Sequence, residues 1–161
     1  MVKSRPVRTR PAGRISSVPV ILQNCQRAVP INIARLNRTA EAVLTSARTG
    51  EAELSVVLVS DRQMRTLNMR YRRKDRPTDV LAFPMREGRF TRFRGALLGD
   101  VVISMQTAQQ QAAELGHGLF DEVVRLLVHG VLHLLGYDHE RSARDAAVMA
   151  RKEKAILRRI R

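Results

Sequence analysis

The stretch LFDEVVRLLVHGVLHLLGYDH, residues 119–139, contains the element around which we expect this 161-residue chain to fold. Its part from Leu119 to Leu135 is strongly apolar, which predicts a buried helix rather than a surface helix. Gly136 then permits the backbone to leave that helix, through a C-cap or another positive-φ conformation. On the N-terminal side, strand-like and helix-like segments alternate.

The flanking segments predict a small α+β (α/β-like) domain. Strands are expected over Val18–Leu22, Leu54–Val59, Thr78–Phe83 and Leu97–Ser104. Further helices are expected over Ile31–Arg48 with Gly50 as its C-cap, from Ser60-Asp61 to about Tyr71, from the cap Ser104 to just before Gly116, and over Asp145–Arg161. Pro19 places the first strand at a sheet edge, because proline cannot donate to a central ladder. We therefore predict a single domain in which helices flank a small mixed sheet.

The charge of the chain indicates a polyanionic partner. There are 29 Lys+Arg and 15 Asp+Glu, which gives a formal net charge of +14. RNA, DNA and an anionic membrane are all candidates on charge alone, while the aromatic content of 4% argues against base-stacking platforms. We predict that residues 1–17 form a flexible basic arm and that residues 18–161 form the folded domain. A second basic segment, Met85–Ala96, is expected to be a loop or a hairpin.

The cysteine content and the hydropathy limit the class of protein. Cys25 is the only cysteine, which excludes an intramolecular disulfide framework and a cysteine-rich zinc site. No apolar run approaches the roughly 20 residues needed to cross a bilayer. We therefore expect a cytoplasmic location and no membrane partner, and the sequence leaves the oligomeric state open.

Three of the four histidines lie within eleven residues, at His129, His133 and His139. The first two are four positions apart on the predicted helix, so one helical turn stacks their imidazoles on the same face. The break at Gly136 lets the chain return the third imidazole to the same point. Three imidazoles leave a tetrahedral metal with one open position, as in catalytic zinc sites. We predict one Zn²⁺ per chain, although nickel, copper or iron can occupy such a ligand set in vitro.

The histidine spacing also matches the metzincin zinc peptidases, H-E-x-x-H-x-x-G-x-x-H, with one departure. Gly130 stands where those enzymes have their glutamate general base, so ordinary zinc peptidase chemistry lacks its proton acceptor. The same histidines leave open, as an alternative function, a zinc hydrolase or peptidase with a substituted base. Asp138, next to the third histidine, is a candidate catalytic residue, with capping of the turn as its structural alternative.

Three blocks of sequence carry a resemblance to the YbeY family of bacterial rRNA maturation factors and single-strand endoribonucleases, over about Leu54–Glu140. LNMRYR at 67–72 with TDVLAFP at 78–84 is similar to the family's L-N-x-x-Y-R and T-[DN]-V-L-S-F-P. LGDVVIS at 98–104 is similar to L-G-D-I-x-I-S, and residues 129–139 match H-G-x-L-H-L-x-G-Y-D-H throughout. Ala82 replaces the usual serine, so any hydroxyl function there is lost or is supplied elsewhere.

The resemblance implies zinc ligands at the three histidines, an important arginine at Arg72 beside a cleft, and a small mixed sheet. It also implies a zinc-dependent endoribonuclease specific for single strands, involved in late-stage 70S ribosome quality control and in maturation of 16S rRNA, especially its 3′ end. The implied partners are rRNA and the small ribosomal subunit, with ribosomal proteins as further candidates. The residues alone do not separate Arg72 from its neighbours, and Arg70, Arg73 and Lys74 are our candidates for RNA binding. A metal-binding, ribosome-associated assembly factor with little hydrolase activity is the second alternative.

Overall fold

The computed structural model describes residues 20–85 and 97–161, so the predicted arm at 1–17 and most of the predicted basic loop lie outside the described residues. The strands are β1 (Val20–Asn24), β2 (Glu53–Val59), β3 (Val80–Pro84) and β4 (Leu97–Ser104). The helices are α1 (Ile33–Ser46), α2 (Asp61–Arg72), α3 (Met105–Leu115), α4 (Leu119–Leu134) and α5 (Ala143–Ile160). The predicted class, a single domain with a small mixed sheet flanked by helices, is confirmed.

The described strands form one sheet in the order β1-β2-β4-β3. The pairs β1·β2 and β2·β4 are parallel, whereas β3 runs antiparallel to β4. As predicted, the first strand lies at an edge of this sheet. It is described from Val20 and ends later than predicted, because pairing with β2 continues to Asn24, which lies opposite Leu58. Polar Gln23 and Asn24 are tolerated there, since both are exposed.

Alternation along the strands divides the core between the two faces of the sheet. On β4, Val101 and Ile103 belong to the main core cluster, while Val102 between them belongs to a second, smaller cluster. The main cluster includes the buried face of α4, whose apolar residues from Val123 to Leu134 form its centre. The smaller cluster contains Met64 of α2. The sheet therefore lies between α4 and α2, and the buried helix predicted over Leu119–Leu135 is confirmed.

One predicted cap was wrong, and a second is confirmed in position but not in its hydrogen bond. Gly50 does not end α1: Ala47 is the C-cap, and Arg48 takes the left-handed conformation with φ 56°. Ser104 stands at the N-cap of α3 but makes no capping hydrogen bond. Its hydroxyl instead donates to the Asp61 carboxylate at 2.5 Å, because β4 lies beside the first turn of α2. That carboxylate also accepts from the backbone N–H and the hydroxyl of Thr107. It therefore lies in the first turn of α2 and accepts hydrogen bonds from the first turn of α3, where negative charge is favourable.

The start of α2 is fixed by local sequence. Ser60 accepts from the backbone N–H of Gln63, and the Gln63 side chain accepts from the backbone N–H of Ser60, which is a capping box. The helix ends where Arg73 adopts the left-handed conformation with φ 56°. These two ends place Arg72 in the last turn of α2. Among the described residues, no helix has both the length and the apolar content required to span a membrane.

Candidate metal centre

The structure brings the three predicted histidines together at the C-terminal end of α4. One ring nitrogen from each of His129, His133 and His139 lies within 4.8 Å of those of the other two. The three ring centroids are 4.9, 5.1 and 5.2 Å apart. Neutral imidazole is a common ligand for zinc, copper, iron and nickel, and three of them leave one coordination position open. The donor set therefore fits a single catalytic-type metal ion.

The turn after α4 returns His139 to the other two histidines. Leu135 is the C-cap, and Gly136 follows in a positive-φ conformation at 95°, as the sequence predicted. The backbone N–H of Gly136 donates to the carbonyl of His133 at 3.0 Å, and that of Tyr137 donates to the carbonyl of Leu132 at 3.1 Å. These bonds tie the chain to the end of the helix before it reaches His139.

Gly130 is a contact point between α4 and the sheet. A Cβ atom at this position would lie 2.7 Å from Cγ1 and 3.0 Å from Cγ2 of Val101 on β4. Real Cβ atoms avoid such distances, so the glycine permits the close approach of the helix to the strand. A glutamate at this position, the general base of the zinc peptidases, would have to displace Val101. The structure thus gives a packing reason for the departure from the peptidase pattern, and it argues against that alternative.

The protonation of His133 favours metal binding. Burial lowers the pKa of this imidazole, and the neighbouring His129 and His139 lower it further. The neutral imidazole, which is the form that binds a metal, is therefore favoured at neutral pH.

The histidines lie in a cleft of about 800 Å³. Arg72 lines the same cleft, although it comes from α2 on the other side of the sheet. Ala82 lines it as well, so the methyl group that replaces the family's serine faces the cleft. The described residues that line the cleft do not include Arg70, Arg73 or Lys74. Those three side chains are exposed, and a role in RNA binding stays a prediction for each.

Asp138 lines the cleft but is engaged in the turn. Its carboxylate accepts from the backbone N–H of Glu140 at 2.8 Å and lies 3.4 Å from Nε of Arg141. The backbone hydrogen bond is the main cause that lowers the pKa of Asp138. A carboxylate held in its charged form is a poor general acid at neutral pH. The capping role is therefore visible, while the catalytic role stays a prediction.

Two residues of this region, Glu153 and Arg125, were missed from the sequence. Oε2 of Glu153 on α5 lies 3.2 Å from Nδ1 of His129, and Arg125 lines the cleft. Glu153 is 24 residues from His129, and no local spacing connects the two. One signal was present: the basic segment 141–161 contains only two acidic residues, Asp145 and Glu153. This signal is weak, because Asp145 shares it and makes no ion pair among the described contacts.

The chain is similar to a set of known proteins that share one name. The family model "Endoribonuclease YbeY" matches residues 21–161. Among curated proteins named endoribonuclease YbeY, the one from Aquifex aeolicus is 46% identical over 127 residues, covering 78% of this chain and 82% of its own. The one from Pelotomaculum thermopropionicum is 46% identical over 151 residues, covering 89% and 97%. A solution structure of a Thermotoga maritima protein superposes with a TM-score of 0.61, at 26% identity and 88% coverage of both chains.

Proposed function

The chain belongs to the endoribonuclease YbeY family, and we propose that it is a zinc-dependent endoribonuclease that cuts single-stranded RNA. The observation that carries this proposal is the three-histidine group in a cleft that Arg72 also lines. A metal with an open position and a guanidinium in one cleft form a site suited to a phosphodiester.

The three histidines would hold one Zn²⁺ per chain. Bound zinc would supply Lewis acidity, which stabilises the negative charge that develops on a phosphate during cleavage. The neutral state of His133 keeps its ring nitrogen available as a ligand. Gly136 and the turn that it permits hold His139 against the other two ligands.

Arg72 would bind the scissile phosphate. Its planar guanidinium can donate two parallel hydrogen bonds to phosphate oxygens, and this contact strengthens as charge accumulates in the transition state. The side chain is exposed in the cleft, so it is free to turn toward a substrate strand. The nucleophile is either water or the 2′-hydroxyl of the RNA. The products separate these two routes, because only attack by the 2′-hydroxyl leaves a 2′,3′-cyclic phosphate.

The test is cleavage of a single-stranded RNA by purified zinc-loaded protein. His133→Ala and Arg72→Ala should each abolish cutting. Arg62→Ala is the matched control, since Arg62 is an exposed arginine on the same helix and is absent from the described cleft lining. Cutting that survives both cleft substitutions would contradict the proposal and would point to another site or to a contaminating nuclease.

The exposed basic residues favour a second candidate, a metal-binding assembly factor with little hydrolase activity. Arg70, Arg73 and Lys74 can hold an RNA backbone without bringing it to the metal. In the same assay, salt-sensitive RNA binding by a zinc-loaded protein that cuts no RNA would favour this candidate.

We further propose a cytoplasmic role in late-stage 70S ribosome quality control and in maturation of 16S rRNA, especially at its 3′ end. The family assignment and the net charge of +14 support an RNA-rich partner such as the small ribosomal subunit. The experiment is mapping of rRNA ends in cells depleted of this protein. Extended 16S 3′ ends should accumulate, and wild-type protein but not His133→Ala should restore normal ends. Normal 3′ ends in depleted cells would contradict the role in maturation.

A further inference from the structure

A series of contacts between acidic and basic side chains links the exposed His117, through the buried Glu122, to the metal centre. Nε2 of His117 lies 2.6 Å from the Glu122 carboxylate, which also accepts two hydrogen bonds from Arg125, at 2.5 and 3.1 Å. NH1 of Arg125 lies 3.9 Å from Oε1 of Glu153. The other oxygen of that carboxylate, Oε2, lies 3.2 Å from Nδ1 of His129. Each contact joins a glutamate side chain to a histidine or arginine side chain.

The buried member of this series, Glu122, is held by hydrogen bonds from two partners. The Glu122 side chain is 0% exposed, and a buried carboxylate is costly unless it is paired and hydrogen-bonded. Arg125 supplies a two-point contact to Glu122, so its guanidinium is fixed in orientation. Burial raises the pKa of Glu122, but the hydrogen bonds from Arg125 and His117 outweigh it and lower that pKa overall. Glu122 is therefore a charged anchor for Arg125.

The cleft end has the geometry of a support for a metal ligand. Glu153 is 18% exposed in its side chain, so its carboxylate is largely withdrawn from solvent. A carboxylate on Nδ1 of an imidazole favours the tautomer with the proton on that nitrogen, and leaves the Nε2 lone pair for a metal. It also fixes the plane of the ring and raises its basicity as a ligand. Of the three histidines, His129 is the one with such a carboxylate among the described contacts.

We propose that Glu153 is a positioning residue for the metal centre, which holds His129 in its ligand tautomer and orientation while Arg125, anchored by Glu122, holds Glu153. This inference rests on the proposed metal centre but not on the proposed RNA chemistry. It assigns a function to α5, which supplies no metal ligand of its own within the described histidine group.

The experiment measures metal binding without RNA. Zn²⁺ affinity is determined by competition with a chromophoric chelator for wild type, Glu153→Gln, Glu153→Ala and the control Glu114→Gln. Glu114 is an exposed glutamate on α3 whose described contact is with Gln110 at 2.9 Å. The visible absorption of Co²⁺ bound to each variant reports the ligand geometry. Melting of the metal-free proteins shows which variants fold.

Loss of a carboxylate behind a metal ligand typically weakens metal binding about 10- to 100-fold. We expect a loss of about tenfold for Glu153→Gln, which keeps an acceptor oxygen without the charge, and a larger loss for Glu153→Ala. The Co²⁺ spectrum should change in both, whereas Glu114→Gln should match wild type. If Glu153→Gln binds Zn²⁺ within twofold of wild type and gives the wild-type Co²⁺ spectrum, the positioning role is refuted, even if Glu153→Ala fails to fold. Failure of wild type to bind Zn²⁺ would instead refute the metal centre itself, and this inference with it.

Discussion

The contact of Gly130 with Val101 makes a quantitative prediction about stability. Alanine at position 130 would place a Cβ atom 2.7 and 3.0 Å from the two Val101 methyl groups. Overpacking of a filled core typically costs about 1–3 kcal/mol. Replacing glycine by alanine inside a helix typically gains about 1 kcal/mol. We therefore expect Gly130→Ala to lower the free energy of unfolding by up to about 2 kcal/mol.

Val101→Ala separates these two contributions. It removes both methyl groups, and the remaining nearest atom, the Cβ of residue 101, would lie 3.4 Å from the new Cβ, which is ordinary van der Waals contact. In that background Gly130→Ala should stabilise the protein by about 1 kcal/mol through helix propensity. The interaction energy between the two substitutions should thus equal the overpacking cost of about 1–3 kcal/mol.

Urea denaturation of the four metal-free proteins measures this interaction energy. The single Val101→Ala variant is also expected to be destabilised, since it leaves a small cavity in the main core cluster. An interaction energy below about 0.5 kcal/mol, the usual limit of additivity, would refute the close approach of α4 to β4. Gly130→Ala should also weaken zinc binding. A helix pushed away from β4 would move His129 and His133, which lie on either side of Gly130 along α4.

Three further outcomes are expected. The pKa of His133 is lowered below its ordinary value of 6.5, so the unfolded chain binds more protons at this residue than the folded protein does. The metal-free protein should therefore lose stability as the pH falls through about 6.5. An unfolding free energy that rises with acidification would contradict this. Ser60→Ala should lower the unfolding free energy by about 1 kcal/mol, as measured by urea denaturation, because the Gln63 backbone N–H loses its hydroxyl acceptor at the start of α2. An unchanged unfolding free energy would mean that this hydroxyl contributes nothing. The affinity for RNA should fall steeply as the salt concentration rises. Deletion of residues 1–14, which carry five positive charges, should reduce the affinity for RNA more than it reduces turnover. Equal affinity at low and high salt would show that the surplus charge does not drive RNA binding.

The local features of the chain were predictable because short-range physics determines them. The apolar run that forms α4 and the i, i+4 spacing of His129 and His133 specify one buried helix with two imidazoles on one side. The positive φ of Gly136 follows from the need to turn the chain back toward His139. The resemblance to the YbeY family, carried by contiguous motifs, is confirmed by the family model over residues 21–161.

The features that were missed depend on contacts between distant parts of the chain. Ser104 looked like a helix cap, but the fold places its hydroxyl next to Asp61, which is 43 residues away. Glu153 supports the histidine group only because α5 packs against α4, and nothing in the spacing of either helix specifies that pairing. Gly50 looked like the end of α1, but the helix already ends at Ala47, and Arg48 as well as Gly50 takes a left-handed conformation.

The position of α5 after the three histidines in the sequence has a consequence for biosynthesis. The histidines are complete once residue 139 has been added, whereas Met149 and Ile156, which belong to the main core cluster, and Glu153 all come later. A growing polypeptide therefore holds all three imidazoles before the helix that packs behind them exists. If Glu153 positions His129 as proposed, the metal centre acquires this support only after α5 has been translated.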